Sequence, residues 1–161
     1  MKTRNLIILL NLLLLLGYIN WSVMSKEKTL AEGKLVLLEL APVDPRSLMQ
    51  GDYMRLNYAI SSDIKIDEIP KRGFCVVKLD KNNVAHRVRL QSKKTPLNAG
   101  EYLINYTAAN WNINIGAESY FFEEGKADKF DSAEYGALKI DNEGHSLLIG
   151  LYDKNFRWIR P

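Results

Sequence analysis

Cysteine and histidine are scarce: the 161-residue chain has one of the first and two of the second. A lone cysteine closes no intramolecular disulfide, and an oxidising compartment favours none or an even number. Cys75 lies in the apolar run FCVV, where a free thiol behaves as a small buried hydrophobe. His86 and His145 are far apart, with no HxxxH pair and no CxxC, so no metal and no cofactor are expected. His86 alternates with apolar residues, which predicts a partly buried side chain; His145 follows Gly144 in a turn and is predicted to be solvated. No G-x-S-x-G is present, and Cys75 and His86 would be neighbours from hairpin topology alone, which is no argument for a nucleophile and its base.

A basic stripe is missing too. The net charge is +3, and apart from Lys2 and Arg4 the chain sets 20 Lys+Arg against 19 Asp+Glu. Lys71, Arg72, Lys78 and Lys81 read as a solvated hairpin face, and nucleic acid is not an expected partner. Repeats and low-complexity tracts are absent outside the N-terminal segment.

That segment is the strongest signal. Residues 6–23 read LIILLNLLLLLGYINWSV without a charge, preceded by Lys2 and Arg4 and followed by Lys26, Glu27 and Lys28. A hydrocarbon core of about 30 Å needs about 20 apolar residues in a helix, and this run suffices. Tyr18 and Trp21 stand toward its far end, where amphipathic rings prefer the interface. A cleaved signal peptide shares the basic start, but Val23 and Ser25 match the small-residue cleavage pattern poorly and the apolar run is too long. An uncleaved transmembrane anchor over residues 1–25 fits better. Lys2, Arg4 and the terminal amine favour a cytoplasmic N-terminus, against the opposing Lys26 and Lys28.

Residues 26–33 read as a juxtamembrane linker or a continuation of the helix, and residues 34–161 as one extracytoplasmic domain. KLVLLELA (34–41) alternates with Leu35, Leu37 and Glu39 on one face and Val36, Leu38 and Leu40 on the other. YMRLNYAI (53–60) has period-2 alternation over its whole length and predicts a strand, with Met54, Leu56, Tyr58 and Ile60 on one face. Residues 73–79 and 84–90 predict a hairpin across Asp80-Lys81-Asn82-Asn83, with Val84, His86, Val88 and Leu90 sharing a face. Further strands are expected at 101–106 and 119–122, a helical turn or two within 126–135, and a hairpin of 137–140 with 146–152 across Asp141-Asn142-Glu143-Gly144. The fold class is therefore mainly β: an antiparallel, barrel-like or sandwich arrangement of seven or eight short strands, with an N-terminal transmembrane helix and one or two short helical segments.

The most distinctive stretch is PVDPRSLMQGDYMRLNY (42–58). Asp44 before Pro45 suits a capped turn, Arg46 is near enough to pair with Asp44 or Asp52, Gly51 supplies a positive φ, and Asp52 can accept backbone N–H groups at the entry to the strand. Glu123 and Glu124 follow the aromatic YFF and precede Gly125; adjacent carboxylates point apart in a strand and do not form an acid–base dyad. All of these have a structural reading as turns and solvated charges. The sharper reading is a conformational or partner-binding role.

Gly51-Asp52-Tyr53-Met54-Arg55-Leu56-Asn57-Tyr58 resembles the motif of the GDYXXLXY proteins. The lead-in PVDPRSLMQ, the stretch ESYFFEEG (118–125) and ALKIDNEGHSLLIGL (137–151) are similar to the same family, so the resemblance covers most of the chain. It implies a bacterial, membrane-anchored protein without an assigned activity and with an integral membrane protein as partner. Around L-x-x-G-D the chain also resembles the nucleophile region of type I signal peptidases, but Val43 stands where those enzymes carry their serine. Ser47 falls on a non-catalytic position, and a lysine such as Lys71 or Lys78 without the serine does nothing.

The expected function is a non-enzymatic accessory or binding module for an integral membrane partner. The alternatives are a signal-peptidase-like relic or weak hydrolase, and a small-ligand or peptide-binding domain using Tyr102, Tyr106, Trp111, Tyr120 and Phe122, aromatics that at these spacings are more often core.

Overall fold

A computed structural model describes residues 2–41, 53–64, 69–109, 112–123 and 125–160. Helix α1 (Lys2–Glu32) is followed by β1 (Lys34–Glu39), β2 (Tyr53–Arg55), β3 (Arg72–Leu79), β4 (Ala85–Gln91), β5 (Glu101–Ala108), β6 (Ile113–Asn114), β7 (Ser119–Phe121), β8 (Ala133–Ile140), β9 (Ser146–Asp153) and β10 (Trp158–Ile159). Two short 3-10 turns, Ala59–Ser61 and Ala127–Phe130, complete the described elements. The strands make three antiparallel sheets, in the orders β1-β8-β9-β10, β4-β3-β5-β6 and β2-β7. The mainly β reading holds, with ten strands among the described residues in place of seven or eight because several are only two or three residues long.

One apolar core is shared by all three sheets. Val36 and Leu38 of β1, Cys75 and Val77 of β3, Ile104 and Tyr106 of β5 and Leu138 and Ile140 of β8 meet there with Leu56, Tyr58 and Phe130. Both faces of β1 are apolar because both are covered. Its other face packs Leu37 with Val84 and Ala137, where the β3–β4 turn folds over β8 and β9 and the Leu37 N–H donates to Asn83 O at 2.9 Å. Cys75 is buried, and burial pushes its thiol up to about 12, so it is a hydrophobe and not a nucleophile.

One turn chemistry is used three times. Asp80, Asp141 and Asp153 each open a hairpin and accept, on Oδ1, the N–H groups two and four residues on. Three residues after each aspartate stands a residue of positive φ: Asn83 at 62°, Gly144 at 87° and Phe156 at 59°. This is the three-to-five-residue hairpin loop in which a left-handed residue restores the strand twist. The third copy, Asp153-Lys154-Asn155-Phe156, creates β10, which periodicity does not predict.

Three expectations need correction. The strand expected over 53–60 ends at Arg55. The Leu56 N–H still reaches Glu118 O, but Asn57 O accepts from Ala41 and Tyr58 bridges Leu40, so the chain is leaving β7 for β1 and then turns into the 3-10 segment. The face assignment in β4 fails because of a bulge: Val76 pairs Arg89 and Val77 pairs Arg87, which leaves Val88 without an opposite residue and switches the faces beyond it. Ala85 is therefore buried and Val88 exposed. For the same reason His86 is not partly buried; its side chain is 64% exposed, 3.8 Å from the Asp80 carboxylate. His145 is exposed as expected and lies 2.8 Å from Asp141.

Residues 26–32, read as a linker or a continuing helix, belong to α1, which passes into β1 through Gly33 alone. The Gly33 N–H donates to Thr29 O at 2.9 Å, and a Cβ at residue 33 would lie 2.2 Å from that oxygen. Thr29 is buried, donates to Ser25 O at 3.2 Å and lies 3.4 Å from Asp141 Oδ2. Along α1 the side chains from Leu6 to Leu16 are exposed and, apart from Asn11, apolar, and the helix is long and apolar enough to cross a membrane.

Candidate functional site

The distinctive motif divides between two environments. Tyr53 is on the surface, its ring 5.8 Å from that of Phe121, which is 73% exposed. Leu56 and Tyr58 are each only 1% exposed. The Tyr58 hydroxyl donates to Ala117 O at 2.6 Å. Burial, with the charge of Glu118 adding to it, pushes its phenol well above the usual range, so it stays a neutral hydrogen-bond donor. The ring covers Gly136 of β8 so closely that a Cβ there would lie 2.8 Å from it.

Pairing of Tyr53 with Phe121 and Arg55 with Ser119 makes residues 53–55 and 119–121, from the two similar stretches, hydrogen-bonded neighbours. Glu118 turns its carboxylate back to accept the N–H groups of Ile115 and Gly116. Arg87, which the β4 bulge places at this end of the sheet, donates to Ile60 O at 2.6 Å and Ser62 O at 2.7 Å and so ties down the 3-10 turn that follows Tyr58. Between these elements lies a cleft of about 250 Å³ lined by Arg55, Asn57, Asn112, Asn114, Asp63 and Glu118, among others. Of its two carboxylates, that of Glu118 is occupied with backbone N–H groups, and Tyr58 is part of its lining. The arrangement braces a strand crossing.

The other described residues that the sequence singles out do not line this cleft. Glu123 is exposed and forms an ion pair with Lys126, which holds its carboxyl below the ordinary value. Gly125 has φ 79°. Asp44, Pro45, Arg46, Gly51, Asp52 and Glu124 lie outside the described residues, as do Val43, Ser47 and Trp111. Of the aromatic set, Tyr106 is in the core, and Tyr102, Tyr120 and Phe122 pack against it. Among the described residues no group of three or more His, Cys, Asp and Glu is gathered closely enough to hold a metal ion.

Sequence reasoning also missed an ion pair across β4 and β5. Both Arg89 nitrogens, Nη1 and Nη2, donate to Glu101 at 2.9 Å, and Nη2 also reaches Pro96 O. The Glu101 side chain is nearly closed off from solvent. Hydrogen bonding from Arg89, then from the Asn98 N–H, draws its pKa from 4.5 down to about 2. A depressed folded-state pKa stabilises fully above the unfolded value, so this contribution is present above about pH 4.5 and is lost as the pH falls toward 2. Arg89→Met is expected to lower the thermal midpoint at neutral pH and to flatten its dependence on pH between those limits, as read by circular dichroism. An unchanged acid limb would show that other carboxylates carry it.

Both stretches fall within a region that one family profile matches. The profile of the GDYXXLXY protein family matches residues 15–151, and the chain belongs to that family. No match to a curated protein or to a solved structure is found. The matched region begins within α1 and takes in both stretches and most of the β8–β9 hairpin.

Proposed function

We propose that this GDYXXLXY protein is a single-pass anchored, extracytoplasmic, non-enzymatic module that binds an integral membrane protein in its own bilayer, with its N-terminus in the cytoplasm. The observation that carries this reading is the junction of α1 and β1. A fully exposed apolar helix runs without a flexible break into the first core strand, and its last turns are seated on the β8–β9 turn through Thr29. A domain held that rigidly at the bilayer surface meets other membrane proteins far more often than a freely diffusing substrate. The occupied carboxylates of Glu118 and Glu123 and the burial of Cys75 favour binding over catalysis.

The test is affinity capture of the full chain from detergent extracts of its native membrane. An integral membrane protein recovered in stoichiometric amount is the expected result. Recovery of nothing above a control anchor of the same length sinks the proposal.

A further inference from the structure

The uncharged run of α1 fixes where a bilayer surface falls along the helix. The run ends at Val23, and the first charge after it is Lys26. A helix rises about 1.5 Å per residue, so Lys26 stands about 4.5 Å and Thr29 about 9 Å beyond that end. The headgroup layer is about 5–7 Å deep on each side of the hydrocarbon. Lys26 is therefore at the height of lipid phosphates, and Thr29 is at their outer limit. Trp21 lies two residues inside the boundary, with an exposed ring of the kind that settles there.

The domain meets the helix at the same height. Thr29 is buried there, 3.4 Å from Asp141. From that contact toward the apolar run extends a groove of about 450 Å³, lined by Trp21, Ser22 and Lys26 on the helix and by Asn105, His145 and Leu147 on the domain. Small-ligand sites have volumes of about 300–1,000 Å³. The polar groups of this groove are not equally available. The His145 ring lies 2.8 Å from the Asp141 carboxylate, which also accepts the N–H groups of Glu143 and His145. Lys26 is exposed and has no ion-pair partner among the described residues. An available ammonium beside apolar walls from Trp21 and Leu147 suits an anionic head on an apolar tail, and lysine holds phosphate as a compact point charge. A phospholipid already fills the headgroup layer around α1, so such an occupant needs no recruitment. Lys28, two residues on, lines a separate cleft with Glu32 and Glu143.

Resting on the anchored reading above, but not on the protein partner, we propose that this groove binds one anionic glycerophospholipid of the leaflet beneath the domain. Its phosphate sits on Lys26, and the upper part of one acyl chain lies between Trp21 and Leu147.

The test uses the full chain in nanodiscs of an equal mixture of phosphatidylglycerol and phosphatidylcholine. Lipid kept after transfer to detergent is counted by native mass spectrometry. The parent should keep one phosphatidylglycerol per chain. Lys26→Gln should lower the lipid-bound fraction about tenfold, the loss of one charge-assisted contact, while Lys28→Gln keeps it. Ser22→Phe fills the groove without changing a charge and should also lose the lipid. Equal loss in the two lysine variants assigns the lipid to diffuse surface attraction and overturns the proposal, as does undiminished binding in Lys26→Gln or Ser22→Phe. In native membranes, a photo-crosslinking phenylalanine derivative in place of Leu147 should gain the mass of a single phospholipid on irradiation. An adduct with a polypeptide, this chain or another, puts protein in the groove and overturns the proposal. A parent chain released from membranes by alkaline carbonate overturns the anchored reading, whereas a retained parent that keeps no lipid overturns the groove alone.

Discussion

Replacing Tyr58 by alanine is expected to lower the stability of the domain by about 3–5 kcal/mol, the cost of emptying a fully enclosed aromatic site. Small domains are stable by about 5–15 kcal/mol, so this one change removes a large fraction, and the unfolding midpoint of the full chain in detergent should fall by roughly 10–20 °C. Two milder variants separate the causes. Tyr58→Phe keeps the ring and leaves the Ala117 carbonyl without its donor, for a loss of about 1–2 kcal/mol. Gly136→Ala drives a methyl into the ring, for about 1–3 kcal/mol. In the Tyr58→Ala background the Gly136→Ala penalty should shrink, because the atoms it meets are gone. Tyr53→Ala, on the surface next to Phe121, should cost no more than about 0.5 kcal/mol. If Tyr53 proved as costly as Tyr58, the two tyrosines of the motif would share a structural role that their environments deny.

The second large effect concerns α1. Leu12→Arg together with Leu14→Arg places two guanidinium groups in the middle of the apolar run. Each costs about 2.5–3.5 kcal/mol at a helix centre on the insertion scale. The double variant is expected to lose membrane retention almost completely, measured as the share of chain that stays in the pellet after an alkaline carbonate wash. The parent chain should stay in that pellet with an intact mass that includes residues 1–25. A parent found in the wash with its N-terminus at Lys26 would mean a cleaved leader, and the domain would keep only the last two turns of α1, from Lys26 to Glu32.

Set beside each other, the two predictions separate what the motif does from where the protein acts. Leu56 and Tyr58 fill the core where the chain crosses from β7 toward β1, and Arg87 and Glu118 hold the backbone around that crossing. Leu56 and Tyr58 thus serve the folding of the strand crossing, while Tyr53 and Arg55 remain at the surface.

Local chemistry was enough to read several elements from the sequence. The apolar, uncharged run of residues 6–23 predicts a spanning helix because the bilayer demands that length and composition. Asp80 and Asp141 predict hairpins because an aspartate satisfies the turn N–H groups wherever the chain reverses. The same signal stands at Asp153, where Asp153-Lys154-Asn155 repeats Asp80-Lys81-Asn82, and it marks β10 once the first two turns are understood.

Other features exist only in three dimensions. The bulge opposite Val76 and Val77 comes from the register of two strands, and it exposes His86 and Val88, buries Ala85 and frees Arg87 to reach the turn at Ile60. The break in the strand after Arg55 arises because two different neighbours, Glu118 and Ala41, claim successive backbone groups. Glu101 becomes a depressed, enclosed carboxylate only because β3 brings β4 and β5 to its two sides, so that Arg89 lies across from it. The sequence by itself determined which segments are apolar, which reverse and which repeat a turn, since those depend on neighbours within a few residues. The tertiary structure decided which residues face each other, because pairing register, bulges and the contact of Thr29 with the β8–β9 turn depend on residues far apart in the chain.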